Sequence, residues 1–371
     1  MLMEKARFAM KCTSQQQPSG VFTASASRSV LSNRRYLLRI ASLAYVVCLS
    51  CILLRLLVVV DVSNQVLDRF DQLQQQYVLD ANSADQNSSL SLVKDFSFPL
   101  LPLRTPSIVN CTDIPLVVFL KSRPGEFYLR NAIRDTWGVP YRGNLVFVLG
   151  REQPSTVQAH ERHVAIEFEA ANYGDMLLVD FIDSYRNLSL KSLAIVQWYT
   201  AHCSNVQHVL QGDTDTVMFP ENIQHFLQTR ALTGIPVIYG SCWHGARVRR
   251  VGKWAVEVGA YVPLKYPRYC SGALLLMSGD VPGRLLRVLD PKHPYFEIDD
   301  AFFTGILAET AGVARLNLKH GIYWREELAD GLMGQVYCEC LRPLVVMEFK
   351  TAGILRAAWR MYNDYFRRCT E

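Results

Sequence analysis

Short apolar runs that alternate with helix-like segments constrain the fold of this chain more than any other feature. The apolar runs are bounded by polar or turn-forming residues, as buried strands of a parallel sheet are, and they cover residues 115–120, 144–150 and 206–210. Helix-like patterns cover residues 127–137, 177–185 and 190–202. Strands that alternate with helices predict an α/β sheet with crossover connections.

A long apolar segment near the amino terminus predicts a membrane anchor. Residues 36–60 are almost wholly apolar, and Arg39 and Arg55 are the charges within them. The segment is long enough to span a bilayer if the Arg55 guanidinium reaches the headgroups. A cleaved signal peptide is disfavoured because the segment lies late in the chain and lacks a clear small-residue cleavage site. A buried core helix is disfavoured because no amphipathic stripe is visible.

The charge distribution orients this segment. Residues 1–39 contain seven lysines and arginines and one acid, whereas the flank after the segment is mainly acidic. The positive-inside rule therefore leaves the amino terminus in the cytosol. The resulting layout is a cytoplasmic tail (1–35), a transmembrane signal-anchor (36–60), a luminal stem (61–112) and a folded luminal domain (113–371). Because most of the net charge of +5 lies in the tail, the folded part is not expected to bind nucleic acid.

Sequons and cysteines agree with a luminal domain. Three N-x-S/T sequons follow the anchor, and they predict glycosylation at Asn87, Asn110 and Asn187. Seven of the ten cysteines also follow it, in a compartment where disulfides persist. Seven is odd, so at least one thiol is free or pairs between chains. Cys338 and Cys340 lack a second pair at zinc spacing, which favours a disulfide or a buried thiol over a metal site.

The stem has a pattern of its own. Apolar residues recur there at near-helical spacing in a Gln-rich stretch, at Val62, Val66, Phe70, Leu73 and Tyr77. This pattern indicates a short amphipathic or self-associating helix, and a self-associating helix would make the chain a homo-oligomer.

Two acidic motifs are candidates for chemistry. The strand that includes residues 206–210 leads into Asp213-Thr214-Asp215, at the strand end where ligands of open α/β sheets bind. On an extended chain, Asp213 and Asp215 point to the same side, where two carboxylates suit Mg²⁺ or Mn²⁺. A loop with solvated acids or a turn cap is the alternative. The second motif is Asp299-Asp300 before an aromatic, apolar helix, where acids also favour a helix start.

Eight segments in order give the sequence a family resemblance. They are residues 121–138, 147–150, 173–177, 180–191, 212–215, 253–254, 266–272 and 299–301, spread over about 180 residues. Together they resemble the β-1,3-glycosyltransferase family (galactosyltransferase family 31), which includes β-1,3-galactosyltransferases and β-1,3-N-acetylglucosaminyltransferases. Thr214 and Ala301 depart from the family's usual acid and valine, but neither change removes a carboxylate.

The resemblance implies a fold and a set of site residues. The fold is GT-A, a nucleotide-sugar-binding α/β fold with a mixed, mostly parallel sheet flanked by helices. Asp213 and Asp215 would hold Mn²⁺ (or Mg²⁺) and the diphosphate of a UDP-sugar. Asp300 would be the catalytic base with Asp299 beside it, either capping the helix, which is slightly favoured, or raising the pKa of the base. The remaining candidates are His320 as a metal ligand, Arg130, Arg134, Asp175 and Lys191 on the donor side, and Trp254 and Tyr269 on the acceptor side.

The implied reaction is an inverting, metal-dependent transfer of a hexose from a UDP-sugar to a hydroxyl of a glycan on a glycoprotein or glycolipid, with formation of a β-1,3 linkage. Galactose is slightly favoured as the transferred sugar. N-acetylglucosamine transfer is one alternative, and a catalytically silent, glycan-binding protein of the Golgi is another. A type II anchor and this reaction together predict residence in the Golgi membrane.

Overall fold

A computed structural model describes residues 99–152, 157–230, 234–290, 296–318, 321–325 and 343–370. All of them belong to one of the two units into which the chain divides, Leu90–Glu371. The predicted anchor at 36–60, residues 61–98 of the predicted stem, Asn87 and His320 lie outside the described residues. Within the described residues, no helix is long and apolar enough to cross a bilayer.

Eight strands form one mixed sheet. In spatial order they are β1 (Pro102–Arg104), β4 (Met176–Ile182), β3 (Leu145–Arg151), β2 (Leu116–Lys121), β5 (His208–Asp213), β10 (Leu274–Ser278), β7 (Val237–Gly240) and β11 (Ala314–Asn317). Four of the neighbouring pairs are parallel and three are antiparallel. The expectation of a mixed, mostly parallel α/β sheet is therefore confirmed.

Helices connect the strands and cover both faces of the sheet. They are α1 (Phe127–Arg134), α2 (Val157–Tyr173), α3 (Leu188–His202), α4 (Pro220–Arg230), α5 (Val281–Val288), a π-helix (Ala301–Leu307) that continues into α6 (Ala308–Thr310), and α7 (Ala352–Thr370). Alternate side chains of β2 enter two separate cores. Val117 and Phe119 pack with α3 residues on one face, while Val118 and Leu120 pack with α1 residues on the other.

Two smaller sheets lie beside the central one. One contains β12 (Ile322–Trp324), β13 (Val345–Met347) and β6 (Thr216–Met218), and the other contains β8 (Cys242–Trp243) and β9 (Tyr269–Cys270). A disulfide joins Cys242 to Cys270, which face each other in the β8–β9 pair. Both small sheets start from strands or turns at the carboxyl end of the central sheet, so they border the region where the acidic motifs lie.

Three predicted elements differ from the structure. Residues 177–185, predicted as a helix, form most of β4, because the apolar run Met176–Ile182 is buried between β3 and β1. The predicted helix 127–137 ends at Arg134, where Asp135 caps it. The strand predicted at 206–210 covers His208–Asp213, so Asp213 belongs to the strand itself.

The folded domain also begins earlier than predicted. β1 pairs antiparallel with β4, Leu100 is buried in the core, and a disulfide joins Cys111 to Cys203 at the end of α3. The boundary placed between residues 112 and 113 is therefore too late, since an edge strand and a disulfide partner precede it. The sequence does not indicate β1, because a strand of three residues that begins at a proline is too short to show an alternating pattern.

The described sequons differ in accessibility. Asn110 is exposed, and its side-chain oxygen accepts hydrogen bonds from the backbone and hydroxyl of Thr112, so its nitrogen remains available. Asn187 is 7% exposed, and its Nδ2 donates a 2.7 Å hydrogen bond to the Ile182 carbonyl. A glycan replaces one of the two Nδ2 hydrogens, so the nitrogen keeps the other for this contact. Glycosylation at both Asn110 and Asn187 stays a prediction.

Candidate active site

The carboxyl ends of two adjacent parallel strands bring opposite charges together. β2 ends at Lys121 and β5 ends at Asp213, and these two residues are register partners. Thr214 and Asp215 then form a turn, closed by a 2.7 Å hydrogen bond from the Thr216 hydroxyl to the Asp213 carbonyl. Asp213 therefore ends a strand and Asp215 lies in the turn, so the two acids do not share the extended segment on which the expectation of one common side depended. They still interact electrostatically.

Asp213 is an acid without a direct neutralising partner. Burial raises the pKa of its carboxyl to about 7; the nearby Lys121 opposes this rise, and repulsion from Asp215 and Asp299 adds to it. No described residue donates a hydrogen bond to this carboxylate. A buried carboxylate that faces two others is stabilised by any cation that enters, because the cation offsets both the desolvation and the repulsion.

Asp215 is attached to the carboxyl-terminal part of the domain. Its carboxylate forms an ion pair with Lys350, and its backbone carbonyl accepts a 2.8 Å hydrogen bond from the Phe349 amide. Lys350 itself is 62% exposed at its side chain, so the pair sits at the edge of the site, where solvent screens it. Asp215 is thus fixed in place but remains reachable from outside.

Lys121 links the two acidic motifs. Its ammonium group forms an ion pair with Asp299, and its side chain is only 3% exposed. Burial alone would lower its pKa, but attraction to Asp299 and then Asp213 outweighs burial and raises the pKa. Ser192 of α3 donates a further hydrogen bond of 3.1 Å to the same Asp299 oxygen. The sheet end and the segment before the π-helix are therefore joined through one buried cation.

Asp300 has the electrostatic character of a base that works near neutral pH. Burial raises the pKa of its carboxyl to about 7, and repulsion from Asp299 adds to the rise. Its Oδ1 accepts a 2.8 Å hydrogen bond from the Ala301 amide, at the start of the π-helix. The cap is therefore Asp300 itself, and Asp299 acts on its pKa, the reverse of the role slightly favoured from sequence. π-Helices are rare and occur often at functional sites.

Arg130 and Arg134 are held within the protein. Arg130 is fully buried, forms a two-bond ion pair with Glu169, and donates to the Ser122 hydroxyl and the carbonyls of Arg123 and Pro124. Arg134 makes the corresponding two-bond pair with Asp175. The Arg130 contacts fix the loop after β2, whereas Arg134, which also pairs with Glu169 at 2.7 Å, joins α1 to α2 and to the residue before β4. A direct donor contact by Arg130, Arg134 or Asp175 stays a prediction.

Lys191 supports the same loop from the other side. Its buried ammonium pairs with Asp183 at 2.9 Å and donates to the Ser122 carbonyl at 2.5 Å. Burial lowers the pKa of Lys191 and raises that of Asp183, and their mutual attraction opposes both shifts. The donor-side role of Lys191 likewise stays a prediction.

The sequence reasoning overlooked Glu126 and the pairing role of Lys121. The Glu126 carboxylate accepts a 2.6 Å hydrogen bond from the Thr214 hydroxyl, between the two acids of the first motif. It also accepts from the backbone and the guanidinium of Arg123. A charged residue that ends a fully apolar strand, as Lys121 does, is the signal that identifies such a group, since burying it requires a partner.

The predicted acceptor aromatics fall into two environments. Trp254 is 44% exposed, and its indole nitrogen donates a 2.9 Å hydrogen bond to the Tyr185 hydroxyl. Tyr269 is half-buried in β9 and lies within electrostatic range of Asp300, which raises its pKa together with burial. Tyr261 and Tyr266 stack on each other and contact Phe296, so these two belong to the packed interior.

A divalent cation fits the first motif. The donor set is two carboxylates, which hard cations prefer, and Asp213 is an acid with no hydrogen-bond donor among the described residues. No group of three or more histidine, cysteine or acidic side chains in described positions has the arrangement of a complete metal site. His320, the predicted third ligand, lies outside those positions. Asp213 and Asp215 would supply two of the ligands of such an ion, and their role as metal ligands stays a prediction.

Comparisons with known proteins identify relatives. The galactosyltransferase family model matches residues 129–319, just over half of the chain. A mouse protein described as UDP-GlcNAc:betaGal beta-1,3-N-acetylglucosaminyltransferase 8 is 35% identical over 59% of this chain and 57% of its own length. A human acetylgalactosaminyl-O-glycosyl-glycoprotein beta-1,3-N-acetylglucosaminyltransferase is 33% identical, over 58% of each chain. A human lactosylceramide 1,3-N-acetyl-beta-D-glucosaminyltransferase is 25% identical over 77% of this chain and 87% of its own.

The matched region coincides with the site. It begins in α1 and contains Asp213, Asp215, Asp299 and Asp300, so the match covers both acidic motifs. The chain spans a little over half the length of the first two relatives. The extent of the family match establishes that the chain belongs to the galactosyltransferase family of β-1,3-glycosyltransferases.

Proposed function

We propose that the protein is an inverting β-1,3-glycosyltransferase with a GT-A fold, which transfers a sugar from a UDP-sugar to a hydroxyl of a glycan. One observation carries the proposal. The ends of β2 and β5 and the start of the π-helix bring together Asp213, Lys121, Asp299 and Asp300, so the proposed cation site and the proposed base are joined through one buried lysine.

Asp300 takes the proton of the acceptor hydroxyl in this proposal. A base is most effective when its pKa lies near the working pH, because it is then largely ionised and still basic enough to accept a proton. Burial and the neighbouring Asp299 raise the pKa of Asp300 into that range. The hydroxyl oxygen then attacks the anomeric carbon on the face opposite the leaving diphosphate, which inverts an α-linked donor to a β product.

Asp213 and Asp215 hold the donor end. A divalent cation bound there supplies positive charge to the diphosphate as the glycosidic bond breaks. Lys121 keeps Asp299 close to this end, and Glu126 fixes the turn between the two acids through Thr214. These contacts order the site before the substrates arrive, so that less motion has to be lost on binding.

The transferred sugar is proposed to be N-acetylglucosamine. The slight preference for galactose came from the sequence alone, and all three relatives described above are named for N-acetylglucosaminyl transfer. Galactose therefore becomes the second candidate. No residue of the described site separates the two donors on physical grounds.

The proposed setting is the Golgi membrane, with residues 36–60 as a type II anchor and the folded domain in the lumen. The disulfides Cys111–Cys203 and Cys242–Cys270 support an oxidising compartment. Carbonate extraction of cell membranes tests the anchor, and protection of the folded domain from added protease tests its luminal side. Release into the supernatant at high pH would contradict the anchor.

The function is tested with the full-length protein in detergent. It is incubated with Mn²⁺, a β-galactoside acceptor and one UDP-sugar at a time, and both released UDP and glycosylated product are measured. Product with UDP-N-acetylglucosamine that disappears in Asp300→Asn is the expected result. No product from any donor, together with no heat stabilisation by millimolar UDP and Mn²⁺, would support the silent glycan-binding alternative instead.

A further inference from the structure

A surface on the proposed acceptor side of the site combines exposed aromatic rings with cationic side chains that have no acidic partner among the described residues. It consists of Tyr185, Arg249, Lys253 and Trp254, and we call it the basic aromatic surface. The Arg249 guanidinium lies 4.7 Å from the centre of the Trp254 ring, and the Lys253 ammonium lies 4.5 Å from the Tyr185 ring and 5.4 Å from the Trp254 ring. The hydrogen bond from Trp254 to the Tyr185 hydroxyl holds the two rings together.

These four side chains are not packed into the core. Tyr185 is 50% exposed, and Arg249 and Lys253 are exposed as well. Among the described residues, no carboxylate lies within ion-pair distance of Arg249 or Lys253, and their contacts are with ring faces. A ring face leaves the N–H groups of a cation free to bind an anion, since it attracts the cation without occupying its hydrogen-bond donors.

The neighbouring charges do not cancel these cations. Residues 244–257 contain four lysines and arginines and one acid, Glu257. Arg250 has a structural role, because its guanidinium donates to backbone carbonyls that include those of Val256 and Tyr261. Glu297 is paired at 2.7 Å with Arg186, the residue after Tyr185. The surface therefore keeps a positive character.

The basic aromatic surface is continuous with the proposed base. The Arg186–Glu297 ion pair joins the turn that carries Tyr185 to the segment that leads into Asp299 and Asp300. On the other side, Tyr269 lies within electrostatic range of both Arg249 and Asp300. A sugar whose hydroxyl reaches Asp300 can therefore extend toward the Trp254 ring with its next residues.

We propose that the basic aromatic surface binds the acceptor glycan and selects acceptors that carry a negative substituent, a sulfate or a carboxylate, on a sugar near the reacting one. This inference rests on the proposed function for the identity of the ligand as an acceptor. The rings offer a flat apolar face to a sugar, and a neutral glycan uses only that face. An anionic glycan also gains Arg249 and Lys253, whose side chains the rings have already ordered, so that little freedom is lost on binding.

The test compares three oligosaccharides that share one β-galactoside backbone: a neutral one, a sulfated one and one with a carboxylate. Binding to the full-length protein is measured by titration calorimetry without donor, at low and high salt, and transfer is measured separately. We expect the two anionic glycans to bind about ten-fold more tightly than the neutral one at low salt, since two exposed cations contribute about three-fold each. High salt is expected to remove most of the preference.

Charge-removing variants assign the effect to the surface. Arg249→Gln with Lys253→Gln should bring the dissociation constants of the anionic glycans close to that of the neutral one, while the neutral glycan binds as before within about two-fold. The matched control is Arg287→Gln with Arg360→Gln, two exposed arginines on α5 and α7. It removes the same charge and should leave the preference intact. Circular dichroism confirms folding of both doubles.

The outcomes separate this inference from the proposed function. Equal binding of the neutral and anionic glycans, or equal loss of preference in both double variants, overturns the inference even if transfer occurs. A preference for sulfate alone, or for carboxylate alone, supports it and identifies the anion. Anionic preference that depends on Arg249 and Lys253, without transfer from any UDP-sugar, supports the surface while the proposed enzymatic activity fails.

Discussion

The buried Lys121 ammonium is ion-paired with the carboxylate of Asp299, a residue 178 positions further along the chain. The pair joins the end of β2 to the segment before the π-helix, and it places one positive charge between acids that otherwise repel each other. Two carboxyls in this group, those of Asp213 and Asp300, have pKa values near 7. The electrostatics of the site therefore depend on contacts between distant parts of the sequence.

Transfer should increase as the pH rises through about 7, because Asp300 accepts a proton only when ionised. Asp299→Asn removes the repulsion that raises the pKa of Asp300, so the midpoint of the pH–rate profile should move to lower pH. Ser192→Ala is the matched control, since it removes one hydrogen bond to Asp299 and keeps the charge. A midpoint that stays in place or moves upward in Asp299→Asn would contradict the assigned cause.

Asp300→Asn should abolish transfer and also stabilise the fold. Loss of a general base lowers the rate by about 10²–10⁴-fold. The pKa of Asp300 is higher in the folded state than the ordinary value of 3.8, so its ionised form destabilises the fold increasingly from about pH 4 to about pH 7. The neutral amide removes that cost, which is at most ~4 kcal/mol for a shift of about three units.

The measurement is Tm for both proteins at pH 8 and pH 4.5. Asp300→Asn should unfold at a higher temperature at pH 8, and the difference should shrink at pH 4.5, where more of the carboxyl is protonated. An unchanged Tm at pH 8, or a decrease, would mean that the Asp300 carboxylate is not strained by burial and by Asp299.

UDP and Mn²⁺ together should raise Tm more than either alone. A ligand at a hundred times its dissociation constant adds about 2.7 kcal/mol to the free energy of unfolding. Asp213→Asn and Asp215→Asn should each lose this stabilisation and the transfer activity. Asp135→Asn is the control, because it neutralises an acid that pairs with Arg356 on the surface. Full stabilisation of the Asp213 and Asp215 variants would exclude these residues as ligands.

Arg130 should matter for folding before it matters for the donor. Arg130→Ala removes the two-bond partner of the buried Glu169 carboxylate, which keeps only its 2.7 Å ion pair with Arg134. Breaking a buried pair costs about 3–5 kcal/mol when the remaining charge has no partner, so we expect a cost of about 3 kcal/mol here. Glu169→Gln should destabilise less, since the amide keeps one acceptor for Arg130. Arg142→Ala, at an exposed arginine, is the control. A higher KM for the donor with an unchanged Tm would instead establish direct donor contact by Arg130.

One disulfide should contribute more to the stability of the fold, and the other should contribute more to acceptor binding. Cys111–Cys203 closes a sequence separation of 92 residues and Cys242–Cys270 one of 28, so loop-closure entropy predicts that removing the first costs about 1 kcal/mol more. The second adjoins Tyr269, so its removal should raise the KM for the acceptor more. Urea unfolding and acceptor kinetics of Cys111→Ser/Cys203→Ser and Cys242→Ser/Cys270→Ser measure both effects. The reverse order in both measurements would contradict this division.

Sequence reasoning predicted the sheet and the positions of the acids, because these depend on local patterns. The apolar runs at β2 and β3 and the helix α3 have strong local signals, and the acidic motifs follow from their neighbours in the chain. β4 was mistaken for a helix because a continuous apolar run has no period that separates a buried strand from a buried helix. The segment forms a strand because it pairs with β3 on one side and with β1 on the other.

Local sequence patterns do not show which charged residues form ion pairs with each other. Arg130 and Glu169 are 39 residues apart, and nothing in the chain between them indicates that they meet. The same holds for Lys121 and Asp299, and for the choice of Asp300 over Asp299 as the helix cap. Such contacts depend on how helices and strands pack. The sequence therefore did not predict the ion pairs of Arg130 with Glu169 or of Arg134 with Glu169 and Asp175, and a donor contact by these residues stays a prediction.

The short strand β1 has a practical consequence for preparing the domain. It covers one side of β4, whose backbone groups would otherwise be open to a strand from a neighbouring molecule. A truncated form that starts at residue 113 lacks this cover and leaves Cys203 with an unpaired thiol. Such a truncation is expected to cause aggregation and disulfide-linked dimers. A truncated form that starts well before Leu100 keeps β1 paired with β4 and keeps the partner of Cys203.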